Sequence, residues 1–242
     1  MATFVLVHGS WHGGWCWQKL TPLLAAAGHR VLAPTLTGCG PNVHMVAKGI
    51  DLETHIKDIA NLLFYDDLDD VILVGHSYAG MIIGTAAMRA APRVRALVYL
   101  DAYVIEPGKT GFDIWSPERL AVARAAMARG EMFRPPFDPE FLGITDPKVA
   151  EWLRVRLTPH PLATYDQPIE DDSAANACLP KLYIACTEGP TAPIFASTVE
   201  RVRAKGWDVN ELATGHNAMM LEPEKLAGIL LAFERKTVDV KA

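Results

Sequence analysis

At 242 residues with a formal charge of −5, the chain is long enough for one α/β core with an insertion and carries no basic footprint for nucleic acid or an anionic membrane surface. No apolar run approaches the roughly 18 residues that span a bilayer, and the chain enters its first apolar run without a charged leader and cleavage site, so secretion is not expected. Cys16, Cys39, Cys178 and Cys186 lack C-x-x-C spacing and read as free thiols of a reducing cytoplasm.

Along the chain, strand-like and helical runs alternate. Phe4–Val7 reads as a buried strand, and the loop His8-Gly9-Ser10-Trp11-His12-Gly13-Gly14-Trp15 follows it. A helix over Leu20–Ala27, a strand over Arg30–Ala33 and a helix over Leu52–Leu63 come next. Val71–Val74 is a strand with no polar alternation, which implies burial on both faces. A helix over Gly80–Ala90 and a strand over Ala96–Leu100 complete the first half. The alternation resumes with strands at Lys181–Cys186 and Asp208–Leu212 and helices at Ile194–Lys205 and Pro223–Phe233. The pattern predicts a mainly parallel sheet covered on both faces, with ligands bound beyond the carboxyl ends of its strands.

Between about Tyr103 and Leu179 the alternation breaks for far longer than an ordinary connection. Helices are expected at Pro117–Ala128 and Pro147–Leu157, with Pro-rich joints around Pro135-Pro136 and Pro159–Pro161. Residues 1–102 and 180–242 therefore read as the core, and 103–179 as a mostly helical cap. Its Trp115, Met132, Phe133, Phe137, Phe141 and Trp152 would favour a flat, apolar ligand.

The chemistry concentrates at Gly75-His76-Ser77-Tyr78-Ala79-Gly80. Small residues flank a serine directly after a buried strand, so strand and helix can pack closely around a sharp turn that exposes the Ser77 hydroxyl. Ala79 stands where a G-x-S-x-G pattern has glycine, an addition of one methyl. A serine hydroxyl needs a base, and the base needs a group that fixes its tautomer. His216, in Thr214-Gly215-His216-Asn217 after the last strand, is the expected base. His76 is expected to point away from the nucleophile's side, and His29, His44, His55 and His160 read as solvated. Asp101 and Glu188 each follow a strand, and the residues leave both open as the acid. Backbone N–H groups of Ser10 and Tyr78 are the expected oxyanion donors. Gly9, Trp11, Trp115 and Trp152 are expected around the substrate, with His12 a buried, satisfied imidazole. No His/Cys/Asp cluster has metal-ligand spacing, and no phosphate-binding glycine pattern occurs, so neither metal nor cofactor is expected.

The blocks Phe4–Trp17, Leu23-Leu24…Ala27-Gly28-His29, Gly75-His76-Ser77 and Gly215-His216 resemble small α/β-hydrolases of the hydroxynitrile lyase and plant methylesterase branch. The resemblance implies an α/β-hydrolase fold. The lyases carry threonine and lysine where this chain has Gly9 and Asn217, which favours hydrolysis over cyanohydrin cleavage. The methylesterases carry aspartate where Gly189 stands, while haloalkane dehalogenases of the wider superfamily place an acid where Asp101 stands. Asp51–Asp58 and the N-terminal block are also similar to bacterial carbendazim (methyl carbamate) hydrolases. The implied partner is a small ester or methyl carbamate, hydrolysed without cofactor. A hydroxynitrile lyase and a non-catalytic ligand-binding protein are the alternatives, and a homodimer is compatible with the sequence.

Overall fold

The computed structural model describes residues 1–47 and 49–238, so the last positions of the expected core segment, 239–242, lie outside the described residues. Six strands, β1 (Thr3–Val7), β2 (Arg30–Leu32), β3 (Val71–His76), β4 (Val94–Leu100), β7 (Lys181–Cys186) and β8 (Asp208–Leu212), form one sheet in the order β2-β1-β3-β4-β7-β8. Every pairing in it is parallel. Two short strands, β5 (Phe133–Arg134) and β6 (His160–Pro161), pair antiparallel outside that sheet. The order reverses between β1 and β3, the switch point at which the loops diverge and leave a crevice.

Helices α1 (Thr21–Ala26), α2 (Leu52–Tyr65), α3 (Gly80–Arg89), α6 (Ala192–Ala204), α7 (Ala218–Leu221) and α8 (Pro223–Val238) accompany the sheet. β1, β3 and β4 are buried along their whole length. Two apolar layers result. Val5, Val7, Leu73 and Leu97 face the α2/α3 side, and Phe4, Leu6, Ile72 and Val98 face the side of α1 and α8. Between β4 and β7 lie α4 (Pro117–Ala128) and α5 (Pro147–Arg154), with single helical turns and the β5–β6 ribbon. Both helices open on an N-cap, Ser116 and Asp146, followed by proline at the first helical position.

Boundaries differ from the sequence reading at particular residues. β4 begins at Val94 instead of Ala96 because Arg95 is buried, paired with Glu234 at 3.0 Å and Asp70 at 3.1 Å. α2 continues to Tyr65 although Phe64 and Tyr65 are exposed, its start fixed by a reciprocal Asp51–Thr54 capping box. α5 ends at Arg154, short of Leu157.

His55 and His160, expected in solvent, are fully buried. His55 Nε2–H donates to the Thr37 carbonyl at 2.9 Å, which leaves Nδ1 to accept from the Tyr78 hydroxyl at 2.9 Å. His160 bonds Thr164 Oγ1 at 3.1 Å. With His8, His12 and His76 they make five histidines with no solvent contact to speak of. Desolvation drives all five imidazoles below their ordinary value, His8 to about 3 and His12 to about 4.

Stability is therefore expected to depend on pH in a window above the carboxylate range. The folded state refuses protons that unfolded histidines, with pKa about 6.5, accept, so stability is greatest above about pH 7 and falls as pH drops from about 6.5 toward 4. Each such group contributes a slope of about 1.4 kcal/mol per pH unit. Urea-unfolding midpoints at a series of pH values should decline steeply between neutrality and pH about 5; a flat profile there would contradict burial of neutral imidazoles.

Candidate active site

β3 ends at His76, and Ser77 follows with φ of 55°. A left-handed conformation at a non-glycine residue costs about 1–3 kcal/mol and persists only where the surroundings enforce it. Here the approach of neighbouring backbone enforces it. A Cβ on Gly9 would meet Ser77 Cβ at 2.8 Å, and one on Gly80 would meet the Tyr103 carbonyl oxygen at 2.1 Å. The Tyr103 N–H donates to the Ser77 carbonyl at 3.0 Å, closing the turn against the chain leaving β4. Ala79 takes the place of glycine without strain, at φ −63°.

The β3–β4 register pairs His76 with Leu100, so Ser77 and Asp101 each stand one residue past a paired strand end. Asp101 also has a left-handed backbone, with φ of 42°, and its side chain is fully buried. Its N–H donates to the Ile184 carbonyl at 2.7 Å, and its Oδ1 accepts from the Cys186 N–H at 3.2 Å. The other carboxylate oxygen, Oδ2, accepts from His216 Nδ1 at 2.6 Å. That bond fixes the His216 tautomer and leaves its Nε2 lone pair available.

Two rings pack against the His216 imidazole. Phe195 stacks on it at 5.4 Å with an interplanar angle of 11°, and His76 lies at 4.5 Å. His76 Nε2–H donates to the His216 carbonyl at 3.0 Å, so the elbow histidine contacts both the ring and the backbone of His216. Glu188 takes no part in this arrangement. It is exposed, its N–H donates to the Thr214 carbonyl at 3.0 Å, and Asp101 holds the His216 Nδ1 for which Glu188 was the alternative partner. Gly189 has φ of 81°, a backbone that a side chain there would strain.

The loop after β1 lies against both partners. Ser10 Oγ is hydrogen-bonded to the Tyr165 hydroxyl, and the Ser10 carbonyl accepts from His12 Nδ1 at 2.7 Å. His12 Nε2 must then accept, and it does so from Asn217 Nδ2 at 3.2 Å. The residue after His216 is thus tied to the β1 loop. Tyr78 begins the turn into α3, its side chain fully buried and its hydroxyl donating to His55.

Ser77 and His216 open into one pocket with Ser10, Trp11, Tyr103 and Arg119 on its walls, closed by Phe137, Tyr165 and Phe195. Of the aromatic residues expected there, Trp11 lines it. Trp115 stands behind it, packed on Tyr165 at 4.8 Å, and Trp152 packs on Trp15 at 5.5 Å outside the pocket. Gly9 lies under Ser77 and makes room for it. Tyr103, Arg119, Tyr165 and Phe195 were not anticipated. They carry no local motif, although the position of Tyr103 two residues after the Asp101 strand end is a signal. Among the described residues, no group of His, Cys, Asp or Glu could hold a metal ion, and no helix is long and apolar enough to cross a membrane.

Comparison with known proteins agrees with this fold. The chain is 39% identical over 244 residues to the carbendazim hydrolyzing esterase of a Nocardioides species, covering 96% of this chain and 99% of that protein. It is 30% identical over 259 residues to salicylic acid-binding protein 2 of Nicotiana tabacum, covering 96% and 97%. Its fold matches that of an extracellular alpha/beta-hydrolase from a Paenibacillus species with a TM-score of 0.83, at 23% identity and covering 96% and 98% of the two chains. The profile of the alpha/beta hydrolase family matches residues 4–229. With a parallel sheet, a strained serine turn and relatives that are named esterases and hydrolases, the chain belongs to the alpha/beta hydrolase family and is a hydrolytic enzyme.

Proposed function

We propose that the protein is a serine hydrolase of small carboxylic esters or methyl carbamates. The observation that carries this reading is the buried 2.6 Å bond from His216 Nδ1 to Asp101 in the pocket that Ser77 opens into. His216 Nε2 takes the Ser77 proton as Oγ attacks the carbonyl. The N–H groups of Ser10 and Tyr78 receive the oxyanion, each donor contributing about 3–4 kcal/mol to the transition state. His216 then protonates the departing alcohol, and a water that it activates releases the acyl group and restores Ser77. With a methyl carbamate, methanol departs first and water then frees a carbamic acid, which loses carbon dioxide to leave the amine. Residues 103–179 act as a cap over the strand ends, contributing Arg119, Phe137 and Tyr165 to the pocket. The carbamate reading draws on the 39% identity to the carbendazim hydrolyzing esterase. Cytoplasmic action on a small molecule fits four cysteines that are all unpaired.

Cyanohydrin cleavage is the weaker reading because of Asn217. Its side chain is fully buried and occupied by His12, so no ammonium-like group at that position faces a leaving cyanide.

A panel of p-nitrophenyl esters, methyl esters and aryl methyl carbamates tests the reading. Ser77→Ala should reduce turnover to background, and retained turnover would sink the mechanism. Asp101→Asn should lower kcat by about 10³–10⁴-fold by disturbing the His216 tautomer, whereas Glu188→Gln should leave it within about twofold, as befits an exposed side chain. The reverse ranking would move the acid to Glu188. The wild type should release no cyanide from mandelonitrile above background, and such release would revive the lyase reading; Asn217→Lys should lower the melting temperature, because it buries an ammonium against His12.

A further inference from the structure

Of the six arginines between β4 and β7, three have carboxylate partners, and Arg156 is exposed and donates to the Trp152 carbonyl at 2.9 Å. Arg124 pairs with Asp166 at 2.6 Å, Arg129 with Glu131 at 2.8 Å and Arg154 with Glu151 at 3.0 Å. Arg119 and Arg134 are different. Among the described residues neither has an ion-pair partner, although they sit beside the Ser77 pocket. Arg134 Nη1 and Nη2 are buried without a hydrogen bond, and so is Arg119 Nε.

Aromatic rings hold the two guanidinium groups in place. Arg119 lies 3.9 Å over Trp115 and 5.6 Å over Phe137. Arg134 lies 4.6 Å over Trp11, 4.9 Å over Trp115 and 4.3 Å over Phe137. Stacking fixes a guanidinium plane and leaves its N–H edge unspent. The two cations also repel each other, and burial lowers Arg134 to about 10, which still leaves it charged at neutral pH. Its polar neighbour Tyr165 gives no counter-charge, because burial raises that phenol to about 12. Glu131 reaches the same region but is bound to Arg129.

Arg119 and Phe137 belong both to the Ser77 pocket and to an adjoining groove of about 440 Å³ lined by Trp115, Ala123, Phe133, Arg134 and Leu162. The partition between the reacting serine and this apolar groove is thus a stacked arginine. A pair of half-buried cations without an anion is costly in the empty protein, and a ligand carboxylate relieves it with charge-assisted, forked hydrogen bonds.

We propose that Arg119 and Arg134 form an anion-recognition site for the substrate, which is an ester or carbamate bearing a carboxylate on an apolar arm remote from the scissile carbonyl. The arm lies along Phe137, with its carboxylate at the guanidinium edges. This rests on the serine-hydrolase reading above and adds to it the class of group that the enzyme selects.

The test compares mono-p-nitrophenyl adipate with p-nitrophenyl heptanoate, a neutral ester of similar length. The wild type should prefer the anionic ester by at least about tenfold in kcat/KM, the scale of one charge-assisted contact. Arg134→Met and Arg119→Met should collapse that ratio toward one, chiefly through KM for the anionic ester, and Arg134→Lys should restore part of it. Raising the ionic strength should narrow the ratio in the wild type. A wild-type ratio of one or less, or a ratio unchanged in both methionine variants, overturns the proposal while leaving ester hydrolysis intact. Loss of Ser77-dependent turnover with both esters would instead count against the hydrolase reading. Adipate binding to Ser77→Ala protein, followed by tryptophan fluorescence, separates the two, because it should weaken about tenfold on adding Arg134→Met whether or not catalysis occurs. Absence of adipate binding, or binding indifferent to Arg134, also overturns the proposal.

Discussion

Three backbone turns at the carboxyl end of the sheet govern the site, and all three are left-handed at residues other than glycine. Trp11 has φ of 67°, Ser77 of 55° and Asp101 of 42°. They follow β1, β3 and β4, three neighbouring strands. Each turn throws its side chain out of the strand's alternation into the crevice above the sheet. No single turn could hold its strain alone. Ser77 is held because Gly9 and Gly80 admit backbone to within contact, and Asp101 because β7 receives its N–H and returns the Cys186 N–H to its carboxylate. The strain of the site is thus distributed over the parallel ladder, and the long buried strands keep it in register.

Around these turns the protein has placed histidines in unusual number, and their chemistry is divided by burial. His8, His12, His55, His76 and His160 are kept neutral by desolvation and are held in place by hydrogen bonds of their ring nitrogens. His12 joins the Ser10 carbonyl to Asn217, and His76 joins the elbow to the His216 backbone. Among the described residues, only His216 combines a carboxylate partner with a second ring nitrogen left unbonded. A residue type chosen for titration is used here mostly for shape.

The strands and the serine turn were legible because their signals are local. Uninterrupted apolar runs give β3 and β7, and small residues around Ser77 give the elbow. Arg95 hid the start of β4, since its partners Asp70 and Glu234 lie far away in sequence. His55 was misread for the same reason, as Thr37 and Tyr78 satisfy it only after folding, whereas the bond of His160 to Thr164 is local and only its burial is long-range. Asp101 and Glu188 look alike in sequence, each following a strand, and the His76–Leu100 register with the 2.6 Å bond to His216 distinguishes them. The aromatic residues between β4 and β7 were visible as composition but not as places. Trp115 went behind the pocket and Trp152 outside it, while Tyr103, Phe137, Phe141 and Tyr165 went to its wall.

Asp101 on β4 has a consequence for the opposite side of the crevice. Where an acid follows β7, the chain beyond that strand is bound to one length and one path. Here residues 187–190 are exposed and bear no side chain that the proposed chemistry needs. Directly beyond them, Thr191, Ile194 and Phe195 border the Ser77 pocket. The protein therefore has a rim whose outline can drift through insertion or deletion without disturbing the Asp101–His216 pair, so that the shape of what is admitted and the proposed machinery can change independently.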